Sequence, residues 1–264
     1  MTILIERHCE LLGLAMDLRF FEIYRRSDYL WTLFEGALFS IGLTVGAAIM
    51  GFLFALILSG VRYGQIPHVR HVATWYVEFI RNTPLIVQLF FVAFGLPMLF
   101  GYQWPFWAHA LLALVLNFSA YFSEILRAGY GSVPAGQREA AAALGIGKLV
   151  IFLKIVLPQA VAKMYPSLAS QFIFLFLTTG VISEIGVNDL TQAGKFIDSR
   201  TFRTFEVFFT LTVIYIATSL GHTMMVRLLS DLRADLAKPN TEDGATPAHI
   251  AAQHGHTAMV QLLY

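Results

Sequence analysis

The sequence predicts an all-α, polytopic membrane protein, a helix bundle with about five transmembrane helices. Hydrophobic residues make up 57% of the chain and charged residues only 13%, against about 25% charged residues in a typical soluble domain. The mean hydropathy is +0.65. Several uncharged stretches are long enough to cross a bilayer core about 30 Å thick, which takes roughly 20 helical residues.

The N-terminal part of the chain precedes the first uncharged stretch. Residues 1–30 mix charged side chains with Leu and Phe, which predicts an extracytoplasmic segment that is either interfacial or partly ordered. A membrane domain is expected over residues 31–226, and its first span over residues 36–59. This span contains Gly42 and Gly46, a G-x-x-x-G pattern that allows a neighbouring helix to approach closely, and we expect that neighbour to lie within the same chain.

The second and third spans come from one long uncharged run. Residues 82–123 contain no Asp, Glu, Lys or Arg, and the run is too long for a single span. Four residues that disfavour helix interrupt it near the middle: Gly95, Pro97, Gly101 and Pro105. We therefore expect a second span over residues 72–94 and a third over residues 106–125.

Two more uncharged stretches predict the remaining spans. The fourth is expected over residues 164–183 and the fifth over residues 207–226. The loop between them, residues 184–206, has mixed charge. Five spans place the two ends of the chain on opposite sides of the membrane.

The cations predict the orientation, because Lys and Arg of short loops stay on the cytoplasmic side. The loop at 60–81 has three cations and the loop at 124–163 has five, whereas the turn at 95–106 has none. We therefore expect the N-terminus outside, the C-terminus in the cytoplasm, and the loop at 124–163 in the cytoplasm.

Composition and motifs argue against several other functions. The net charge of +1 gives no electrostatic footprint for nucleic acid. Cys9 is the only cysteine, so no internal disulfide and no thiol cluster for zinc is expected. The run GIGK at 145–148 lacks the spacing of a phosphate-binding loop, and neither G-x-S-x-G nor H-E-x-x-H occurs. We expect no enzyme activity, no catalytic residue, no metal site and no cofactor. The N-terminus also lacks the pattern of a cleavable signal peptide.

A charged stretch punctuated by Gly and Pro, residues 121–158, separates the third and fourth spans. The alanines after Glu139 favour helix, and Ala141 and Gly145 share a helix face because they are four residues apart. Gly145 can then take the backbone conformation that ends a helix. Apolar helical spacing resumes after it, and Pro158 suits the start of a following span. Taken alone, this pattern is also compatible with an ordinary loop that contains an Ala-rich helix.

The spacing of this stretch resembles the signature loop of the membrane-spanning subunits of bacterial ATP-driven importers. The matching residues are Glu139, Ala140, Ala141, Gly145, Ile155, Leu157 and Pro158. In that family the loop forms a short cytoplasmic helix that docks on a separate ATPase subunit, and the resemblance implies the same role here. The runs RNTPLIVQLF at 81–90 and AYFSEILR at 120–127 resemble the subset that imports polar amino acids. The resemblance covers roughly residues 30–220.

One position departs from the family. Many members carry Lys-Asp-Thr-Ser in the fourth span, where this chain has Leu177, Thr178, Thr179 and Gly180. The missing charge pair implies that this subunit pairs with a different, complementary permease. It also leaves open whether the residues there contact the substrate.

Polar residues inside spans are costly and are therefore candidates for a translocation path. The candidates are Gln88, Asn117, Glu124, Thr178 and Thr179. For Glu124, Gln88 and Asn117, the alternative is a structural role. Glu124 can pair with Arg127 three residues later, and Gln88 and Asn117 can hydrogen-bond between helices.

The C-terminal part of the sequence changes character. The run GHTMMVRLL at 221–229 returns as GHTAMVQLL at 255–263, and residues 243–252 read DGATPAHIAA. This pattern resembles an ankyrin repeat, and it predicts an ankyrin-like cytoplasmic tail over residues 227–264. Because stable stacks need at least three repeats, the tail is expected to fold poorly alone. The repeat also explains its histidines better than a metal cluster does.

The resemblance implies a function. It predicts an inner-membrane permease subunit of an ATP-binding cassette (ABC) importer for polar amino acids. The implied partners are ABC ATPase subunits, a second permease subunit and an extracytoplasmic solute-binding protein. One alternative is a membrane-tethered interaction protein that acts through its tail. Another is an ion-driven secondary transporter, although no pair of matching inverted halves is visible.

Overall fold

The computed structural model describes residues 20–63 and 68–237, and these residues form helices joined by short turns. The helices are α1 (Phe21–Tyr24), α2 (Ser27–Tyr63), α3 (Val69–Arg81), α4 (Leu85–Phe100), α5 (Phe106–Gly131), α6 (Ala135–Ala143), α7 (Lys148–Ile185), α8 (Leu190–Thr201) and α9 (Thr204–Ala237). Most of the predicted N-terminal segment and the ankyrin-like residues after 237 lie outside this description.

The predicted bundle of about five membrane helices is confirmed. In the described residues, four helices are long and apolar enough to cross a membrane: α2, α5, α7 and the part of α9 from Thr204 to Gly221. Helices α3 and α4 together form a fifth candidate span, bent by 108°. The side to which each terminus points stays a prediction.

The second span predicted over residues 72–94 corresponds to the bent pair of helices α3 and α4 and is not one uninterrupted helix. Helix α3 ends at Arg81, and Pro84 has an extended backbone (φ −60°, ψ 137°) before α4 begins. Proline favours an extended conformation in the residue before it and cannot donate to a preceding turn. The helix axis therefore changes direction at residues 82–84.

The non-helical turn predicted near residues 95–105 is shorter than expected and covers only residues 101–105. Helix α4 continues through Gly95 as a π-helical turn and through Pro97 to Phe100. Gly101 then ends the helix with a left-handed backbone (φ 69°), and Pro105 precedes α5. Of the four predicted helix breakers, only Gly101 and Pro105 bound the turn.

Helix α7 starts well before the predicted fourth span at 164–183. It begins at Lys148, passes through a π-helical turn at Phe152–Val156, and reaches Ile185 over 38 residues. The second half of the signature loop and the fourth span are therefore one continuous helix, which bears on how movement at the loop would be transmitted.

The core lies where α2, α5 and α7 pack together. Gly51 of α2 lies against the α5 backbone, since a Cβ there would be 3.5 Å from the carbonyl oxygen of Val115 and the amide nitrogen of Ser119. Gly46 faces Leu111 of α5 at 3.6 Å, so half of the G-x-x-x-G pattern packs within the chain, as predicted. Gly42 meets no atom within 4 Å. Small residues thus bring the two helices close together.

Candidate functional site

The signature stretch folds as a helical hairpin of α6 and the first turns of α7. Gly145 has a left-handed backbone (φ 77°). Its N–H donates to the carbonyl of Ala142 at 3.0 Å, and the N–H of Ile146 donates to the carbonyl of Ala141 at 3.2 Å. This pair of hydrogen bonds is a Schellman motif, in which glycine meets little steric resistance.

The matching residues divide into an inner and an outer set. Ala141 is buried, and Ile155 and Leu157 pack against the core formed by the spans. Glu139 and Ala140 are exposed, and Pro158 is half-buried near the start of the last α-helical segment of α7. The inner set anchors the hairpin on the bundle, and no other described residue buries its outer face.

Apolar residues occupy that outer face, and the sequence analysis did not assign them to the docking site. The side chain of Leu144 is 80% exposed and that of Leu149 69%. Val150 and Leu153 are also exposed. We call these four residues the hairpin patch. Such exposed apolar clusters mark interaction surfaces. The sequence feature that could have identified these residues is their position on both sides of the Gly145 turn.

A hydrogen bond and aromatic ring contacts connect the hairpin to three spans. Arg138 of α6 donates to the hydroxyl of Tyr63 at 3.2 Å. The Tyr63 ring lies 5.5 Å from that of Tyr130 and 5.3 Å from that of Phe152, measured between centroids. Tyr63, Tyr130 and Phe152 belong to α2, α5 and α7. Movement of the hairpin would therefore reach all three helices.

Glu124 lies among three arginines from three helices. Its Oε2 lies 3.0 Å from Nη1 of Arg62 on α2 and 4.0 Å from Nη1 of Arg81 on α3. Its Oε1 accepts from Arg127, so the predicted pair within α5 is present. The side chain of Glu124 is 22% exposed. Arg62 and Arg81 are contacts that sequence reasoning missed, because they are distant along the chain.

Gln88 and Asn117 form the interhelical hydrogen bond considered as their alternative role. The Asn117 amide donates to Oε1 of Gln88 at 3.0 Å, and both side chains are buried. Gln88 in turn donates to the carbonyls of Ile80 at 2.7 Å and Thr83 at 3.0 Å. These bonds hold the bend between α3 and α4 against α5.

The two threonine candidates bond within their own helix. Thr178 donates to the carbonyl of Phe174 at 2.5 Å and is half-buried, whereas Thr179 donates to that of Phe176 at 2.7 Å and is fully buried. They lie near the end of α7 that is farther from the hairpin. Whether these threonines, or Gln88, Asn117 and Glu124, line a path for substrate stays a prediction.

A cavity of about 690 Å³ lies at the end of the bundle remote from the hairpin, beside the loop between α7 and α8. Asp189 in its wall caps α8 by accepting from the backbone N–H groups of Gln192 at 2.8 Å and Thr191 at 3.2 Å. Burial raises the pKa of the Asp189 carboxyl to about 6.

Two family models match the chain. The model described as "Binding-protein-dependent transport system inner membrane component" matches residues 47–232. The model described as "Ankyrin repeats (many copies)" matches residues 214–263. The two matches overlap within α9.

Several curated proteins are similar to this chain. The octopine transport system permease protein OccM of Rhizobium radiobacter is 34% identical over 201 residues, which cover 71% of this chain and 82% of that protein. The arginine transport system permease protein ArtQ of Bacillus subtilis is 33% identical over 205 residues, covering 75% and 93%.

Solved structures agree on the fold. An amino acid ABC transporter crystallised with histidines has a TM-score of 0.75 and 32% identity, covering 82% of this chain and 99% of that chain. The MetNI methionine ABC transporter has a TM-score of 0.63 at 18% identity, covering 77% and 98%. The second likeness concerns the fold alone.

Proposed function

The chain belongs to the family of binding-protein-dependent transport system inner membrane components. From that membership we propose that it is the permease subunit of an ABC importer and carries a polar amino acid across the bacterial inner membrane. The relatives named for octopine and arginine transport support this choice of substrate class. The family is a transport component rather than an enzyme family, so the energy of ATP has to enter through partner subunits.

The hairpin patch is the observation that carries the proposal. Its leucines are exposed at the tip of a hairpin whose Ala141 is buried in the bundle. An apolar surface of this kind, held by a Gly145 turn, suits docking to a separate ATPase. The proposed ATPase-docking loop is the one marked by the signature spacing, and Ala141, Ile155 and Leu157 anchor it on the bundle. Its residues are Glu139, Ala140, Ala141, Gly145, Ile155, Leu157 and Pro158.

The geometry suggests how ATP-driven movement would reach the substrate path. Because α7 is continuous from Lys148 to Ile185, a displacement at the hairpin would travel along a rod roughly 57 Å long, at 1.5 Å per residue. The Arg138–Tyr63 hydrogen bond and the Tyr63, Tyr130 and Phe152 rings would move α2 and α5 with it. We propose a rigid-body switch between outward-open and inward-open states.

The remaining parts of the proposal concern topology and partners. We propose that the N-terminus lies outside and the C-terminus in the cytoplasm, in accord with the cations of the loops. We propose three segments, at residues 1–30, 31–226 and 227–264. Helix α9 crosses the boundary between the second and third segments and ends at Ala237. A second permease subunit and an extracytoplasmic solute-binding protein complete the proposed importer.

The substitution Gly145→Asp tests docking. A side chain at this left-handed position is strained and would distort the turn that presents the hairpin patch. We expect normal insertion into the membrane but loss of ATPase co-purification and of substrate-stimulated ATP hydrolysis. Gly101→Asp is the matched control, because Gly101 is also left-handed with no atom within 4 Å of a Cβ, but lies at the other end of the bundle. Normal coupling in Gly145→Asp would refute the docking role.

The ankyrin family match at 214–263 favours one second candidate, an interaction protein tethered to the membrane through this helix bundle. Deleting residues 240–264 separates the two functions. Unchanged amino acid uptake by the truncated chain supports the permease, whereas loss of a cytosolic partner in a pull-down supports the tether.

A further inference from the structure

Two adjoining cavities form one cleft at the end of the bundle remote from the hairpin. One has a volume of about 690 Å³ and the other about 440 Å³. Both are lined by Glu35 and Phe39 of α2 and by Trp107 of α5. Because these three residues belong to both linings, the two cavities adjoin. We call the combined space the outer cleft.

The larger cavity has polar and acidic residues as part of its lining. Its polar lining consists of Thr32, Glu35, Asn188, Asp189 and Gln192. Asp189 is fully buried and caps α8 through its carboxylate. Glu35 is exposed, and no ion pair joins it to another described residue. Among the described residues, neither cavity is lined by Lys or Arg. Within the part of the chain that the structure describes, the cleft therefore offers a carboxylate with no lysine or arginine beside it.

The smaller cavity is an apolar groove along α2. Apart from the residues it shares with the larger cavity, it is lined by Leu38, Gly42, Leu43, Gly46 and Leu111. A Cβ at Gly42 would meet no atom within 4 Å, so the groove is open there. Gly42 and Gly46 lie about 10 and 16 Å along the helix from Glu35, at 1.5 Å per residue. The groove thus leads from the carboxylate toward the middle of the helix.

The position of the cleft along α2 matches the edge of the hydrocarbon core. Glu35 is the last charged residue before an uncharged run that extends to residue 61. On the same helix, Leu38 is 59% exposed and Ile49 58% exposed, as expected for a surface that faces acyl chains. We therefore expect Glu35 to lie at the depth of the lipid head groups and the groove to lie at the depth of the acyl chains.

We propose that the outer cleft binds a phospholipid whose head group carries a primary ammonium group, such as phosphatidylethanolamine. The ammonium pairs with Glu35, the polar side chains of Thr32 and Gln192 accommodate the phosphate, and one acyl chain lies in the groove over Gly42. An anionic lipid without an amine is disfavoured, because its phosphate would face Glu35 and Asp189 with no lysine or arginine in the lining. The proposal needs only the membrane embedding of α2; its assignment to the outer leaflet rests on the orientation proposed above.

Lipid retention by the full-length protein tests the proposal. The protein is reconstituted with equal amounts of phosphatidylethanolamine, phosphatidylglycerol and phosphatidylcholine, re-extracted in mild detergent, and its bound lipids are counted by native mass spectrometry. We expect retained phosphatidylethanolamine in preference to phosphatidylglycerol. Phosphatidylcholine should be retained less well, since its ammonium cannot donate a hydrogen bond. Loss of one charge-assisted contact in Glu35→Gln should weaken retention by about tenfold.

Variants distinguish this site from general lipid adhesion. Gly42→Leu fills the groove and should reduce retention as Glu35→Gln does. Glu78→Gln and Gly60→Leu are the controls, because Glu78 is an exposed carboxylate on α3 and Gly60 is a glycine of α2 that also faces open space. Both controls should retain lipid normally.

Two outcomes would overturn the proposal. One is equal retention of the three lipids with no effect of Glu35→Gln. The other concerns a photoactivatable amino acid placed at position 38 in place of leucine. If it crosslinks to a companion polypeptide instead of a lipid, the groove is a contact between subunits. Neither measurement depends on transport, so the proposed lipid site and the proposed importer function can be refuted independently.

Discussion

Gly36 of α2 lies against the backbone of Asp189, and a Cβ at Gly36 would be 2.9 Å from the Asp189 carbonyl oxygen and 3.0 Å from the Cα of Leu190. The N–H of Leu190 also donates to the hydroxyl of Ser40, one turn farther along α2, at 3.1 Å. The start of α8 therefore packs directly against the first membrane helix. The hydrogen-bonded residues Ser40 and Leu190 are 150 positions apart in the chain.

The contact predicts that Gly36→Ala destabilises the protein. The added methyl meets backbone atoms, which cannot rotate away, so we expect a loss of about 1–3 kcal/mol in the free energy of unfolding. Thermal unfolding in detergent measures this loss. Gly60→Ala on the same helix is the control and should not destabilise the protein, since a Cβ there meets nothing within 4 Å. Equal behaviour of the two variants would argue against the close contact.

Asp189 predicts a pH dependence of stability. Burial raises its pKa from the ordinary 3.8 to about 6. Between these values the folded state binds more protons than the unfolded state, so stability should fall as the pH rises from about 4 to about 6 and then level off. The full effect amounts to at most about 3 kcal/mol. Unfolding midpoints from pH 4 to 8 measure the slope.

Asp189→Asn is the control for this dependence. Asparagine still accepts hydrogen bonds at a helix N-cap but does not titrate, so the variant should lose the slope between pH 4 and 6. A slope that persists unchanged in Asp189→Asn would assign the dependence to another group.

The cluster around Glu124 predicts a ranking of substitutions. Glu124→Gln leaves three arginines without their shared carboxylate and should cost about 3 kcal/mol or more. Arg62→Met should cost more than Arg127→Met, because their side chains are 10% and 52% exposed. Unfolding by denaturant checks the order, with the exposed Glu78→Gln as the neutral control. If Glu124→Gln changed substrate affinity but not stability, Glu124 would belong to the translocation path instead.

The Gln88–Asn117 pair predicts coupled effects on stability. Asn117→Leu leaves the buried Oε1 of Gln88 without its donor and should cost about 1–3 kcal/mol. Gln88→Leu should cost more, since it also frees the carbonyls of Ile80 and Thr83 at the bend. The double variant should cost less than the sum of the two single ones. Additive losses would mean that the two side chains do not act together.

Local patterns allowed several features to be predicted from the sequence. The uncharged runs predicted the membrane helices, because crossing the hydrocarbon core restricts both charge and length. The spacing around Gly145 predicted the turn of the hairpin, because the Schellman motif depends on a few consecutive residues. The i, i+3 pair of Glu124 and Arg127 was predictable for the same reason.

The 108° bend between α3 and α4 was not predicted, although Pro84 marks its position. A proline in an apolar run is compatible with a kinked span or with a sharp turn. Here the side chain of Gln88 bonds back to Ile80 and Thr83, and Asn117 of another helix holds it in place. The choice between the two conformations was therefore made by tertiary contacts.

By itself, the sequence determined that the chain is a membrane-embedded helix bundle with a hairpin turn at Gly145, because hydropathy and turn chemistry act over short distances along the chain. Only the tertiary structure decided that Arg62, Arg81 and Arg127 converge on Glu124, that leucines cover the hairpin tip, and that Asp189 rests on Gly36. Burial, ion pairing and close backbone contact depend on which surfaces the helices bring together, and that arrangement is a property of the packed bundle.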